Sequence, residues 1–149
     1  MNYKKQLATL ILGVCLLISS CKKDKIDKST VPKIEFVSIS PATVVEYKDS
    51  INITISYDDY DGDIGENDPN LKNLFVTDSR NNVTYEYRIS QLSPNGSIIH
   101  IKGNLNTIIK NTAITNNANS QAVSYSVYLK DRAGNQSNVV STSAITIIK

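Results

Sequence analysis

From Val31 onward, apolar and polar residues alternate in short segments separated by turn residues, and no run of ten or more residues carries the 3.6-residue spacing of a helix. The pattern predicts an all-β domain. Ile51, Ile53, Ile55 and Tyr57 fall on one face of an extended chain and Asn52, Thr54 and Ser56 on the other, which marks a half-buried strand. Ile34 to Ser38 reads as an earlier strand, broken at Ser40-Pro41 and resumed over Thr43 to Glu46. Asn73 to Thr77 and Val83 to Ile89 form a hairpin across the turn Asp78 to Asn82. Pro94-Asn95-Gly96 turns the chain into Ser97 to Lys102, followed by a further strand over Leu105 to Lys110.

The stretch from Asn111 to Gln121 is rich in Asn, Ser and Thr and reads as a surface loop. Val123 to Lys130 alternates again, and a turn over Asp131 to Asn138 leads to a last strand from Val139 to Ile148. About seven strands at these spacings predict an immunoglobulin-like or fibronectin type III-like β-sandwich over residues 31–149. With no Trp and no cysteine pair inside that region, an antibody-type domain is not expected.

The N-terminal segment departs from this pattern. Lys4 and Lys5 precede an apolar run from Leu7 to Ile18, too short to span a bilayer and of the length of a signal-peptide core, so residues 1–20 read as a signal peptide. The run ends in Ile18-Ser19-Ser20-Cys21, which resembles the bacterial lipobox, and Cys21 is the expected lipidated N-terminus of the mature chain. Residues 21–30 are too polar to pack and read as a tether reaching roughly 30 Å when extended. The reading places the domain on the outer membrane through its lipid, facing the periplasm or the cell surface.

Processing at Cys21 also changes the charge and the chemistry. Removing Lys4 and Lys5 leaves 16 − 2 basic residues against 14 acidic ones, so the mature chain is near neutral and gives no nucleic-acid signal. Cys15 leaves with the signal peptide, so the folded part has no thiol for a disulfide, a zinc site or a nucleophile.

One stretch carries candidate chemistry. Between Asp58 and Asp68 there are six carboxylates and two glycines, with no Lys or Arg. Hard oxygen donors on a glycine-punctuated loop are what a calcium ion requires. If Ile51 to Tyr57 is the second strand and Val123 to Lys130 the sixth, the loops that follow them share one end of the sandwich, which brings Asp131 towards the acidic loop. The candidate ligands are Asp61, Asp63 and Asp131, then Asp59, Asp58 and Glu66. The stretch is not an EF-hand, because counting from Asp59 puts Ile64 and Asn70 where that motif has glycine and glutamate. The competing reading is a solvated acidic turn capped by its own Asp and Asn side chains.

Other chemistries have less to draw on. His100 is the sole histidine and sits in an alternating strand, so neither a triad nor an acid–base pair can be assembled around it, and the chain is not expected to be an enzyme. A glycan-binding accessory role needs exposed aromatics, for which Tyr60, Tyr47 and Tyr128 are the candidates. The broader expectation is a non-catalytic binding or structural module of the cell envelope with a protein or glycan partner.

Ile39-Ser40-Pro41, the run Ile53 to Gly65 and the run Asp131 to Asn138 together resemble the small Bacteroidetes lipoproteins with an immunoglobulin-like domain. The resemblance covers Pro32 to Ile148. It implies an envelope-anchored β-sandwich, and because that group has no assigned activity it transfers no residue role.

Overall fold

The computed structural model describes residues 29–149. The expected signal peptide, Cys21 and most of the tether lie outside the described residues. Within them the chain forms ten strands and no helix. The strands are β1 (Lys33–Ser40), β2 (Thr43–Val45), β3 (Ile51–Asp59), β4 (Leu74–Asp78), β5 (Thr84–Tyr87), β6 (Ile101–Ile109), β7 (Ser120–Val123), β8 (Tyr125–Leu129), β9 (Val140–Ser141) and β10 (Ile145–Ile148).

Three sheets result, with orders β1-β3-β6, β2-β10-β7 and β5-β4-β8-β9. Only Ser124 separates β7 from β8, so one nearly continuous strand links the second sheet to the third. The pairings are antiparallel except β2 with β10, which run parallel from Thr43↔Thr146 to Val45↔Ile148. The break at Ser40-Pro41, a cis peptide bond, is where the first strand leaves the β1-β3-β6 sheet for the second sheet.

One core joins the sheets. Ile51, Ile53 and Ile55 of β3 pack with Val76 of β4, Val127 and Leu129 of β8 and Ile147 of β10, all nearly or wholly closed to solvent. Inward aliphatic residues on alternate positions of every long strand make this burial the main stabilising term. Among the described residues the core runs from Ile34 to Ile147. This is the architecture of an all-β domain with several sheets, not a closed barrel, and it is consistent with a β-sandwich.

Local departures from the sequence pattern have identifiable causes. The two short strands expected over 97–102 and 105–110 are one strand, β6, which pairs with β3 without interruption from Ile101↔Asp59 to Ile109↔Ile51. Gly103 leaves room for the Tyr57 side chain, whose hydroxyl would stand 2.7 Å from a Cβ added at position 103. The last strand is instead divided, β9 pairing with β8 and β10 with β7 and β2. Strand β3 extends two residues into the acidic stretch, and Asp59 continues its buried face.

Candidate functional site

The alternation of β3 carries Asp59 into the interior in the place a fifth apolar residue would take, and its side chain is fully enclosed. The chain then leaves the sheet through Gly62 and Gly65, both at positive φ. Ile64 lies between them with no exposed surface and pins the loop to the core. Its N–H donates to Asp59 Oδ2 at 3.2 Å. Folding back in this way sets Asp59, Asp61 and Asp63 around one point, with a ligand oxygen of each within 4.8 Å of the others.

The loop after β8 closes the other side. Ile64 and Asp131 form an antiparallel bridge. Arg132 N–H donates to the Asp63 carbonyl at 3.1 Å, and Ala133 N–H donates to Asp63 Oδ2 at 3.0 Å. The Arg132 guanidinium reaches past the carboxylates to the Gly65 carbonyl at 3.0 Å and Ser93 Oγ at 3.4 Å. Ser93 in turn donates to the Gly62 carbonyl, so a third loop, between β5 and β6, braces the same turn.

The electrostatics of this cluster are unbalanced. Asp59, Asp61 and Asp63 each have one buried oxygen, Oδ1, with no hydrogen-bond partner. Burial pushes the Asp59 carboxyl up to about 7, with the Asp61 and Asp63 carboxylates adding to the rise and the Ile64 N–H opposing it. Asp63 is also raised, first by burial and then by the charges of Asp131 and Asp61, against the Ala133 N–H and the Arg132 charge. Buried carboxylate oxygens of like charge, pointing together without donors, need a proton or a cation between them. An all-oxygen donor set suits a hard divalent ion rather than zinc, so these three residues could hold a metal ion.

The remaining candidate ligands are engaged elsewhere. Asp131 stands near Asp63, but its Oδ1 accepts the Asn135 N–H at 2.7 Å and its Oδ2 accepts Asn135 Nδ2 at 2.9 Å. Asp58 faces the opposite side of β3, where Oδ1 meets His100 Nε2 at 2.6 Å and Oδ2 meets Lys102 Nζ at 2.7 Å. The Lys102 hydrogen bond, followed by that of His100, holds its carboxyl below the usual range. Glu66 Oε1 accepts the N–H groups of Asn67 and Asp68. Thus the acidic stretch serves two purposes, Asp59, Asp61 and Asp63 converging while Asp58 and Glu66 do not.

The aromatic candidates are dispersed. Tyr60 stacks on His100 with centroids 4.8 Å apart, Tyr128 stacks on Phe75 at 4.7 Å, and Tyr47 is exposed where the chain leaves β2. The sequence reading gave no role to Ile64, Arg132 or Asn135. Of these Asn135 was within reach, since an Asp four residues before an Asn in a turn commonly accepts from it. Comparison with protein-family models, curated proteins and solved structures gave no match.

Proposed function

We propose that the chain is a lipid-anchored envelope protein whose immunoglobulin-like or fibronectin type III-like sandwich works as a non-catalytic binding or structural module, with calcium held at its apex by Asp59, Asp61 and Asp63. The observation that carries the metal reading is the set of three buried, partnerless Oδ1 atoms on those residues. Calcium suits the set because it accepts carboxylate oxygens in flexible arrangements and completes its shell with water or carbonyls. A bound ion would neutralise the repulsion within the cluster and stiffen the acidic turn, which the Ile64–Asp131 bridge and the Ala133 N–H already join to the loop after β8.

The anchored reading rests on the lipobox-like Ile18-Ser19-Ser20-Cys21 and the polar tether behind it. The sandwich type is supported by the parallel pairing of β2 with β10 and by loops from three strand connections meeting at one end. Calcium titration of the chain from Lys22 onward tests the metal reading. Heat of binding and a rise in melting temperature at millimolar calcium are expected, and no response in either measurement overturns it.

A further inference from the structure

The apex that holds the carboxylate cluster also gathers exposed aliphatic side chains. Ile99 N–H donates to the Asp61 carbonyl at 3.3 Å, and the Ile99 carbonyl lies against Gly62, so the segment before β6 rests on the acidic loop. Ile98 and Ile99 there are 83% and 49% exposed. Single exposed aliphatics are common on protein surfaces, but two in succession at the tip of a domain are not explained by packing.

The chain enters the domain at this same end. β1 begins at Lys33 opposite Asp58, and Asn135 Nδ2 donates to the Thr30 carbonyl at 3.4 Å, which places the first described residues beside the loop after β8. Val31, 42% exposed, lines a small cavity with Tyr60 at this end. The described chain therefore begins at the apex, not at the end formed by the turn at Pro41 and the loop 111–119.

We infer that the apex seats on a lipid bilayer, with Ile98 and Ile99 entering the headgroup and upper acyl region and Val31 at their flank. Aliphatic burial supplies the attraction, because Lys102 at this end of β6 is already paired with Asp58. Two isoleucines give weak partitioning on their own. Tethering raises the local concentration enough for weak contact to hold the domain in one orientation. The inference rests on the calcium reading only for the rigidity of the tip, because the segment carrying Ile98 and Ile99 leans on Asp61 and Gly62.

The test is nuclear magnetic resonance of the chain from Cys21 onward, coupled through the Cys21 thiol to a maleimide lipid in phosphatidylethanolamine–phosphatidylglycerol nanodiscs that also bear a nitroxide lipid. Resonances of Val31, Ile98 and Ile99 should broaden first, while those of Ala42, Asp49 and Asn119 stay sharp. Ile98→Ser and Ile99→Ser should each weaken vesicle partitioning about tenfold while leaving the calcium heat intact. Uniform broadening, broadening led by Ala42 or Asn119, or serine variants that partition like the parent would overturn the inference. If calcium gives no heat but Ile98 and Ile99 still broaden first, the metal reading fails and the bilayer contact stands. If calcium binds and no residue broadens, the reverse holds.

Discussion

Ile64 and Asp131, 67 positions apart in sequence, pair as an antiparallel bridge, and this short pairing joins the turn after β3 to the turn after β8. On one side of it Ile64 is buried in the core. On the other, Asp131 accepts both donors of Asn135 and stays out of the carboxylate cluster. The bridge holds the two turns together through the backbone, without calling on the three clustered carboxylates.

Neutralising one member of the cluster should therefore separate stability from metal binding. In Asp61→Asn the charge that most disfavours ionised Asp59 is gone. The calcium-free variant should melt about 3–6 °C above the parent at neutral pH, because less like-charge repulsion is built into the folded state. The calcium-induced rise in melting temperature should disappear in the same variant. A calcium-free melting temperature at or below that of the parent would show that the cluster carries no such repulsion.

How much of this was legible in the sequence depends on which force set each position. The alternation of Ile51, Ile53, Ile55 and Tyr57 fixed β3 and its inner face, and strand counting brought the loops after β3 and β8 together, as Ala133 and Asp63 now are. Asp59 did not follow from pattern, since a carboxylate continuing an aliphatic face reads as the end of the strand. Its burial depends on the pairing Asp59↔Ile101, a contact with a partner 42 residues away. Strand order brings Asp131 to the acidic loop but says nothing of its partners, and the local hydrogen bonds from Asn135 occupy both of its oxygens.

At the far end of the domain a different carboxylate is fully paired. Asp78 has no exposed surface and holds Arg80 in two parallel bonds, Nε to Oδ1 at 3.0 Å and NH2 to Oδ2 at 2.7 Å. Arg80 NH1 also donates to the Ala113 carbonyl at 2.8 Å, tying the loop before β7 to the turn after β4. Asp78→Ala leaves a buried guanidinium without its counter-charge and should cost about 3–5 kcal/mol in urea unfolding. The calcium response should survive, since β4 carries Asp78 at the end of the sheet away from Asp59. Loss of calcium binding in a folded Asp78→Ala variant would contradict that separation.

Tyr125 predicts the alkaline limit of stability. Burial pushes its phenol up to about 12, with the Asp78 charge adding to the rise and the Thr112 hydroxyl and Arg80 opposing it. In the unfolded chain the phenol ionises near its ordinary value of 10.0. Between these two values the folded state holds a proton that the unfolded state has released, so stability is full below pH 10 and falls as pH rises towards 12. Tyr85 and Tyr87 are raised as well and act with the same sign. Tyr125→Phe should flatten the fall measured by urea midpoints across this range while costing less than about 1 kcal/mol at neutral pH, because the Thr112 contact is long at 3.5 Å. An unchanged slope would assign the alkaline loss to other groups.

Two glycines at positive φ should respond very differently to alanine. At Gly62, φ is +73° and an added Cβ would stand 2.1 Å from the Ile99 carbonyl oxygen, which is backbone and cannot rotate away. Either the acidic turn or the segment before β6 must move, at a cost of about 2–4 kcal/mol. That movement would also pull Asp61 and Asp63 out of register with Asp59, so calcium binding should weaken at least tenfold in a Gly62→Ala variant that still folds. Gly134 has φ of +87° but nothing within 4 Å of the added atom. Gly134→Ala should cost only about 1 kcal/mol, the strain of the left-handed backbone itself, and leave calcium binding unchanged. Melting curves and calcium heats for the pair distinguish steric support of the cluster from a general need for glycine in these turns, since the latter would give the two variants equal effects.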